Sequence, residues 1–387
     1  MSASRSEPAR PSIVSPDDQK VTFVELFFDL VFVFCITQVV TLLHGHVDLR
    51  SAGSALLVFW LVWWAWTQFT WALNAANTEH PHVRVVTLVA TAVAFFLAVG
   101  IPQAMGTGAP GFAVPYVAVR VVGLLLYYWV ARTDTAQRRA VIVFGTFSIS
   151  GLVAVLIGAV LGGAAQYWCW GLAILLDLMA AGVGGQREGW NLHPDHFVER
   201  HGLIVIIALG ETLIVAAAGL SEAPATAPAI ATAVLAVAVT CGLWWVYFGH
   251  IRSAFEHALA KAAGNARSRL ARDTFSVLHF PMLCGVIAMA AATEAALAHP
   301  HEPLAVDIRA ALGAGAVLFV CGSAAAIWRA TGDVLVWRWA LAPAFAVAVM
   351  TLGGPPWASM SVVLALLIVV AAVEGQTRRA TSASPPR

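Results

Sequence analysis

His196–Gly219 reads HFVERHGLIVIIALGETLIVAAAG, and from Gly202 onward it is apolar except for Glu211 and the Thr212 beside it. A helix starting near His201 reaches Glu211 after about ten residues. At about 1.5 Å rise per residue that is about 15 Å, half of a hydrocarbon core about 30 Å thick. A carboxyl group at that depth is costly, and its first reading is functional. The alternative is a protonated acid hydrogen-bonded between helices as structural glue. Arg200, eleven residues earlier, falls on nearly the same helix face at about 100° per residue. It is too distant along the helix to pair with Glu211, so the acid's partner is expected from another helix.

The rest of the chain has the same character. It is 60% hydrophobic and 11% charged, with a mean hydropathy of +0.80, where soluble domains carry about 25% charged residues. The expected fold is all-α, a polytopic integral membrane helix bundle surrounded by membrane lipids. A formal charge of +1 without a dense basic patch argues against nucleic acid as a partner. The five cysteines, 35, 169, 241, 284 and 321, all fall in apolar segments without CxxC or His/Cys clustering. They read as small buried apolar residues, and no cofactor or metal site is expected from them.

Twelve spans are expected, near 21–43, 52–73, 84–105, 113–131, 138–162, 166–183, 201–220, 226–249, 273–297, 304–328, 334–352 and 357–374. The polar, Pro- and Ser-containing residues 1–20 are expected to be a disordered cytoplasmic N-terminus, and 375–387 a disordered cytoplasmic tail. The first apolar run is long enough to span and reads as an uncleaved helix rather than a signal peptide. With the N-terminus inside, only Arg50, Arg309 and the intraspan Arg120 of the 22 Lys and Arg escape the cytoplasmic side. Such sorting predicts N-in, C-in and an even helix number. The longest loop, 250–272, is cytoplasmic in this scheme, either as a basic connector or as a helix lying on the membrane surface.

The first span opens VTFVELFFDLVFVF at Val21. Glu25 and Asp29 are four residues apart and share a face, with Phe27, Phe28 and Phe32 around them. Two like charges at that spacing repel, so one of them is expected to hold a proton or to meet a cation. Glu25 also suits a helix N-terminus. Asp29 lies about two turns in, too deep for its short side chain to reach bulk water.

VTFVELFFDLVFVFCITQ, HFVERHGLIVIIALGET and Trp244-Trp245 followed by Tyr247-Phe248 together resemble the bacterial low temperature requirement A family, over about residues 20–375. The resemblance implies a multi-spanning inner (plasma) membrane protein, of a family named for a cold-growth phenotype. It carries Glu25, Phe28 and Asp29 over from the first span, and Glu199, Arg200, Gly210 and Glu211 from the seventh and the residues just before it.

A repeat is also suggested. Phe23-Val24-Glu25 recurs as Phe197-Val198-Glu199 at an offset of 174 residues, and Trp63-Trp64 as Trp244-Trp245 at 181. Six spans per half would give a 6+6 parallel repeat, halves 21–183 and 201–374, with spans one and seven facing each other.

Other polar residues fall within spans. Asp177 lies well inside the sixth span. Arg120, about two turns below the outer surface, is placed to snorkel, and Glu294 is near enough to the outer end to be solvated. His279 is read first as a hydrogen-bonded structural residue and second as a proton carrier. Trp60, Trp64, Thr67 and Trp71 form a helical stripe beside Gln68, read first as packing and second as the lining of an aromatic or apolar ligand site.

No HExxH, phosphate-cradling loop or defensible Ser/His/Asp spacing is present. His44, His46 and Asp48, and likewise Glu79, His80 and His82, lack a fourth ligand in sequence and read as loop residues. The expected function is therefore not enzymatic. It is a secondary transporter of a small molecule or ion, coupled to protons through Glu211 and Asp29, with Glu25, Asp177 and Arg200 as further candidates along the proton or substrate pathway. The alternatives are a membrane sensor or stress-response protein, and an acid/base enzyme using Asp29 and Glu211.

Overall fold

A computed structural model describes residues 12–45, 47–186, 189–190, 192–222 and 226–382. Among these the chain is helical throughout: α1 Phe23–Thr41, α2 Leu49–Ala75, α3 Pro81–Gly100, α4 Ala109–Ala131, α5 Thr135–Leu161, α6 Gly163–Gly184, α7 Pro194–Glu222, α8 Ala227–Val246, α9 Arg252–Lys261, α10 Gly264–Ala271, α11 His279–Ala298, α12 Val306–Thr331, α13 Val336–Leu352 and α14 Pro356–Ser382. Their apolar composition demands it, because backbone N–H and C=O groups in lipid must be bonded within the segment.

Helix starts are written locally. Asp48 takes the N–H of Ser51 at 2.7 Å to begin α2, and Asp134 takes those of Ala136 and Gln137 at 2.8 and 3.1 Å to begin α5. Between α5 and α6 the chain turns on Gly162 and Gly163, both with positive φ, 66° and 53°, where a side chain would be strained.

Eleven helices among the described residues are long and apolar enough to cross a membrane. The eleventh expected span, 334–352, forms as α13 but reaches 17 residues, about 25 Å at 1.5 Å per residue and at the short limit of a crossing helix. Pro355-Pro356 and the positive φ angles of Gly353 and Gly354 (50° and 123°) end it early.

The bundle is built around α2. Its apolar window is 83% buried, more than that of any other candidate span, and it packs against α1, α4, α6, α7 and α11. That is why its tryptophans turn inward: Trp63, Trp64 and Trp66 are all buried. The sequence-equivalent Trp244 and Trp245 on α8 face outward instead. Helices α11 and α12 approach closely at two glycines, where a Cβ on Gly285 would sit 2.5 Å from the Gly315 carbonyl oxygen; small residues permit such contact between membrane helices.

Two terminal expectations change. Residues 12–20 are not loose. Asn77 donates to the Ile13 carbonyl at 2.8 Å, Ser15 to the Ala75 carbonyl at 3.0 Å and the Gln19 amide to the Leu73 carbonyl at 3.0 Å, so the segment pairs with the exit of α2. Residues 1–11 lie outside the described residues. At the other end α14 continues to Ser382, past the expected boundary at 374; residues 383–387 lie outside the described residues. The 250–272 segment folds as two short helices, α9 and α10. Phe255 and Leu259 bury one side of α9 against α7 and α12, so it docks on the bundle.

Candidate functional site

Glu25 and Asp29 stand one turn apart on α1, and His196 and Arg200 one turn apart on the facing α7. That i, i+4 register puts each pair on one face of its helix. Arg200 joins the acids: Nη1 donates to Glu25 Oε1 at 2.7 Å and Nη2 to Asp29 Oδ1 at 2.5 Å. Trp66 of α2 donates its indole N–H to the same Asp29 oxygen at 2.8 Å, and its ring lies 5.7 Å from the guanidinium carbon. Glu25 Oε2 also accepts the Thr22 N–H and hydroxyl, both at 2.9 Å. Every acid and base in this group is buried.

Of the two expected ways to relieve the Glu25–Asp29 repulsion, a proton or a cation, α7 supplies a cation, Arg200. Helix α7 begins at Pro194, seven residues before the expected start, so Glu199 and Arg200 lie inside it rather than ahead of it. Phe28 is fully buried, with its ring 4.7 Å from that of Phe69 and 4.9 Å from that of Phe32. Glu199 and Gly210 are half-buried, and neither belongs to this cluster.

His196 escaped the sequence reading, although its place four residues before Arg200 was the available signal. Its Nε2 is 3.0 Å from Glu25 Oε1, and its Nδ1 is 3.0 Å from Asn74 Nδ2. Asn74 Oδ1 accepts the His193 N–H at 2.9 Å, which leaves its NH2 to donate to His196 Nδ1. The ring then carries its proton on Nε2, facing Glu25, and is neutral. The charge count follows: two carboxylates, one guanidinium and a neutral imidazole leave one negative charge uncompensated. Asp29 Oδ2, which is buried and has no hydrogen-bond partner among the described residues, is where a proton would neutralise it.

Glu211 lies farther along the same α1–α7 contact, and its partner comes from another helix as expected. Thr37 of α1 donates to Glu211 Oε2 at 2.6 Å, while Oε1 is buried without a partner among the described residues. Because α7 starts early, Glu211 sits past the helix midpoint, eleven residues from its Glu222 end. From Asp29 to Thr37 is eight residues, about 12 Å along α1, so Glu211 and Asp29 do not converge.

The remaining candidates are held elsewhere. Asp177 on α6 receives a two-pronged bond from Arg120 on α4, Nη2 to Oδ1 at 2.8 Å and Nη1 to Oδ2 at 3.1 Å. Arg120 also reaches Gln68, Tyr116 and Ser148. It is fully buried, so it does not snorkel; a carboxylate inside the bundle satisfies its fork better than the interface can. His279 accepts from the Tyr247 hydroxyl at 2.9 Å and donates to the Thr274 carbonyl at 2.8 Å; both ring nitrogens are thereby engaged. Glu294 is paired with His44 at 2.9 Å rather than simply solvated. A third buried pair, Arg338 with Glu374, with Ser323 beside it, was not foreseen; the sorting of Lys and Arg counts Arg338 only among the cytoplasmic-side residues. In the first metal-candidate trio, His46 lies outside the described residues; in the second, Glu79 is paired with Arg84.

A narrow cleft opens between α2, α4, α5, α6 and α10. None of Glu25, Asp29 and Glu211 lines it.

The chain is similar to uncharacterized protein RA0937 of Rhizobium meliloti (strain 1021), 28% identical over 327 residues that make up 79% of this chain and 77% of that protein. No solved structure matches. The model of the bacterial low temperature requirement A protein (LtrA) family matches residues 20–373, a range that holds both acids of α1 and the arginine and glutamate of α7. The chain belongs to the bacterial low temperature requirement A protein family.

Proposed function

We propose that the protein is a proton-coupled secondary transporter of a small molecule or ion, multi-pass in the inner (plasma) membrane. The coupling site in this reading is the α1–α7 contact. The carrying observation is the charge count there: Glu25 and Asp29 share one Arg200, and the leftover negative charge is buried beside an unpaired Asp29 oxygen. A buried uncompensated charge is expensive, so a proton or cation bound there is strongly favoured. Glu211, held by a hydroxyl instead of a cation, is a second protonatable position along the same contact.

A two-fold repetition is part of the same proposal. Thr37 and Glu211 are separated by 174 residues, the offset between the two Phe-Val-Glu motifs, so under such a repeat they would be equivalent residues in contact. Symmetry mates in contact lie on the axis relating them. Helix neighbours recur as well: α1–α3 corresponds to α7–α11, and α2–α6 to α8–α14. The opposite burial of Trp63-Trp64 and Trp244-Trp245 counts against strict equivalence. N-in, C-in topology, with α13 crossing despite its length, completes the proposal.

A membrane sensor is the second reading, and one observation favours it: Glu25, Asp29, Asp177 and Glu374 are each closed by an arginine, and Glu211 by Thr37. An acid/base enzyme is the weakest reading, since Asp29 and Glu211 are held about 12 Å apart along the helix. The discriminating experiment is uptake of a substrate panel into proteoliposomes under an imposed pH gradient. Transport predicts gradient-driven accumulation of at least one compound, lost in Asp29→Asn. Absence of accumulation across the panel, with correctly inserted protein, moves the balance to the sensor.

A further inference from the structure

We propose that the groove between α3 and α4 binds one anionic glycerophospholipid, its acyl chain along the groove and its phosphate beside Trp129 and Arg132. The groove holds about 420 Å³. It is lined by Val85, Val86 and Val89 of α3 and by Val122, Leu125 and Leu126 of α4, with Trp129 at one end. Val122 lies nine residues before the end of α4 at Ala131, about 14 Å at 1.5 Å per residue. That is close to half of a hydrocarbon core about 30 Å thick, the depth of one leaflet.

The lining decides the class of guest. Val85, Val89 and Leu125 are exposed, so the groove opens away from the bundle. In a chain with eleven candidate spans among its described residues, such an apolar outer face meets lipid. Of the lining side chains only the Trp129 indole carries a polar atom. A peptide or sugar in the groove would leave its own polar groups unbonded. A neighbouring helix is a poor occupant too, since close helix contact in membranes uses small residues and these walls are Val and Leu. A hydrocarbon chain asks only for apolar walls.

The Trp129 end of the groove has a different chemistry. Trp129 stands where α4 finishes and α3 begins, and indoles at helix ends take up the headgroup level. The Arg132 guanidinium carbon lies 5.9 Å from its ring centroid. The rings of His80 and His82 each lie 6.2 Å from it, edge-on. His80 caps α3 by accepting the His82 N–H on Nδ1 at 3.3 Å, which leaves the ring proton on Nε2 as a donor.

Charge at this end favours a phosphate. Residues 79–84 and 132–139 together hold four arginines and two acids. Both acids are engaged, Glu79 with Arg84 and Asp134 with the N–H groups that open α5. Arg132 is exposed and has no carboxylate partner among the described residues, and a guanidinium can bond two phosphate oxygens at once. Basic residues at the membrane surface attract anionic headgroups, and here they sit at the mouth of a groove one leaflet deep. This inference does not depend on proton coupling.

The test uses full-length protein, delipidated in detergent, and native mass spectrometry with dioleoyl phosphatidylglycerol or dioleoyl phosphatidylcholine. The first phosphatidylglycerol adduct is expected to form about fivefold more tightly than the first phosphatidylcholine adduct. Arg132→Gln should erase that preference, while Arg50→Gln, at the other end of the bundle, should leave it intact. Leu125→Trp, which fills the groove, should weaken the first adduct of both lipids. Glycerol phosphate, the headgroup without its chains, should not compete. Arg132 and Leu125 are both exposed, so their variants are expected to fold. Equal affinity for the two lipids, an unchanged preference in Arg132→Gln, the same loss in Arg50→Gln, undiminished binding in Leu125→Trp or competition by glycerol phosphate would each overturn the proposal. So would a delipidated dimer that Leu125→Trp splits, since the groove would then belong to a second copy of the chain.

Discussion

Thr37 and Glu211 stand 174 residues apart in the chain and meet at 2.6 Å between α1 and α7. The hydroxyl satisfies one carboxylate oxygen and leaves the other buried and unpaired. Among the described residues no cation is bonded to this acid, in contrast to Glu25, Asp29, Asp177 and Glu374. Glu211 is thus suited to carry a proton as part of its cycle, or to remain protonated as glue.

Glu211→Gln separates those roles, because an amide keeps a hydrogen-bonding shape but cannot exchange a proton. The variant is expected to insert and melt like the parent while gradient-driven uptake in proteoliposomes is lost. Undiminished uptake would remove Glu211 from the coupling mechanism. Glu211→Leu should in addition cost about 0.6–2 kcal/mol of stability, measured by unfolding in mixed micelles.

Breaking the Arg120–Asp177 pair on one side should be far worse than removing both charges. Arg120→Leu strands a buried carboxylate, and a loss of about 3–5 kcal/mol is expected. The double variant Arg120→Leu, Asp177→Leu should recover most of it. Thermal unfolding of the three proteins in one detergent checks this, and a double variant no better than the single one would refute the pairing.

The N-terminal strap should be pH-sensitive through His193, whose Nε2 lies 2.6 Å from the Ser15 hydroxyl. Burial first, and then the neighbouring His196, hold the His193 pKa below its ordinary value of 6.5. The folded state then binds this proton less readily than the unfolded state does. Its contribution to stability is fully present above about pH 6.5 and is lost as pH falls toward the lower folded value. Trypsin cleavage after Lys20 should accelerate as pH drops through that window, after correction for the enzyme's own pH profile. In His193→Gln the corrected rate should not respond to pH.

Topology can be read by single-cysteine labelling on intact cells. Thr107→Cys, between α3 and α4, should react with an impermeant maleimide; Arg267→Cys, on α10, should react only after permeabilisation. Labelling of Arg267→Cys in sealed cells would invert the proposed orientation.

Most of what solvation dictates was legible in the chain. Apolar runs of about 20 residues must become helices in lipid, so the all-α bundle and nearly all of its spans followed from composition. So did the need of Glu25 and Asp29 for a proton or a cation, and of Glu211 for a partner on another helix, because buried charge and buried polar groups must be matched wherever they occur. Which residue answers each need was decided by tertiary structure. Arg200 meets Glu25 and Asp29, Thr37 meets Glu211, Arg120 turns inward to Asp177, and Arg338 meets Glu374 because helices distant in sequence dock side by side. The same docking buries the tryptophans of α2 and exposes those of α8. A single helix's periodicity specifies its apolar face, but membrane helices are apolar nearly all round. Packing, hydrogen bonding and close approach at small residues then choose the neighbours, and those choices depend on pairs of surfaces that one stretch of sequence does not contain.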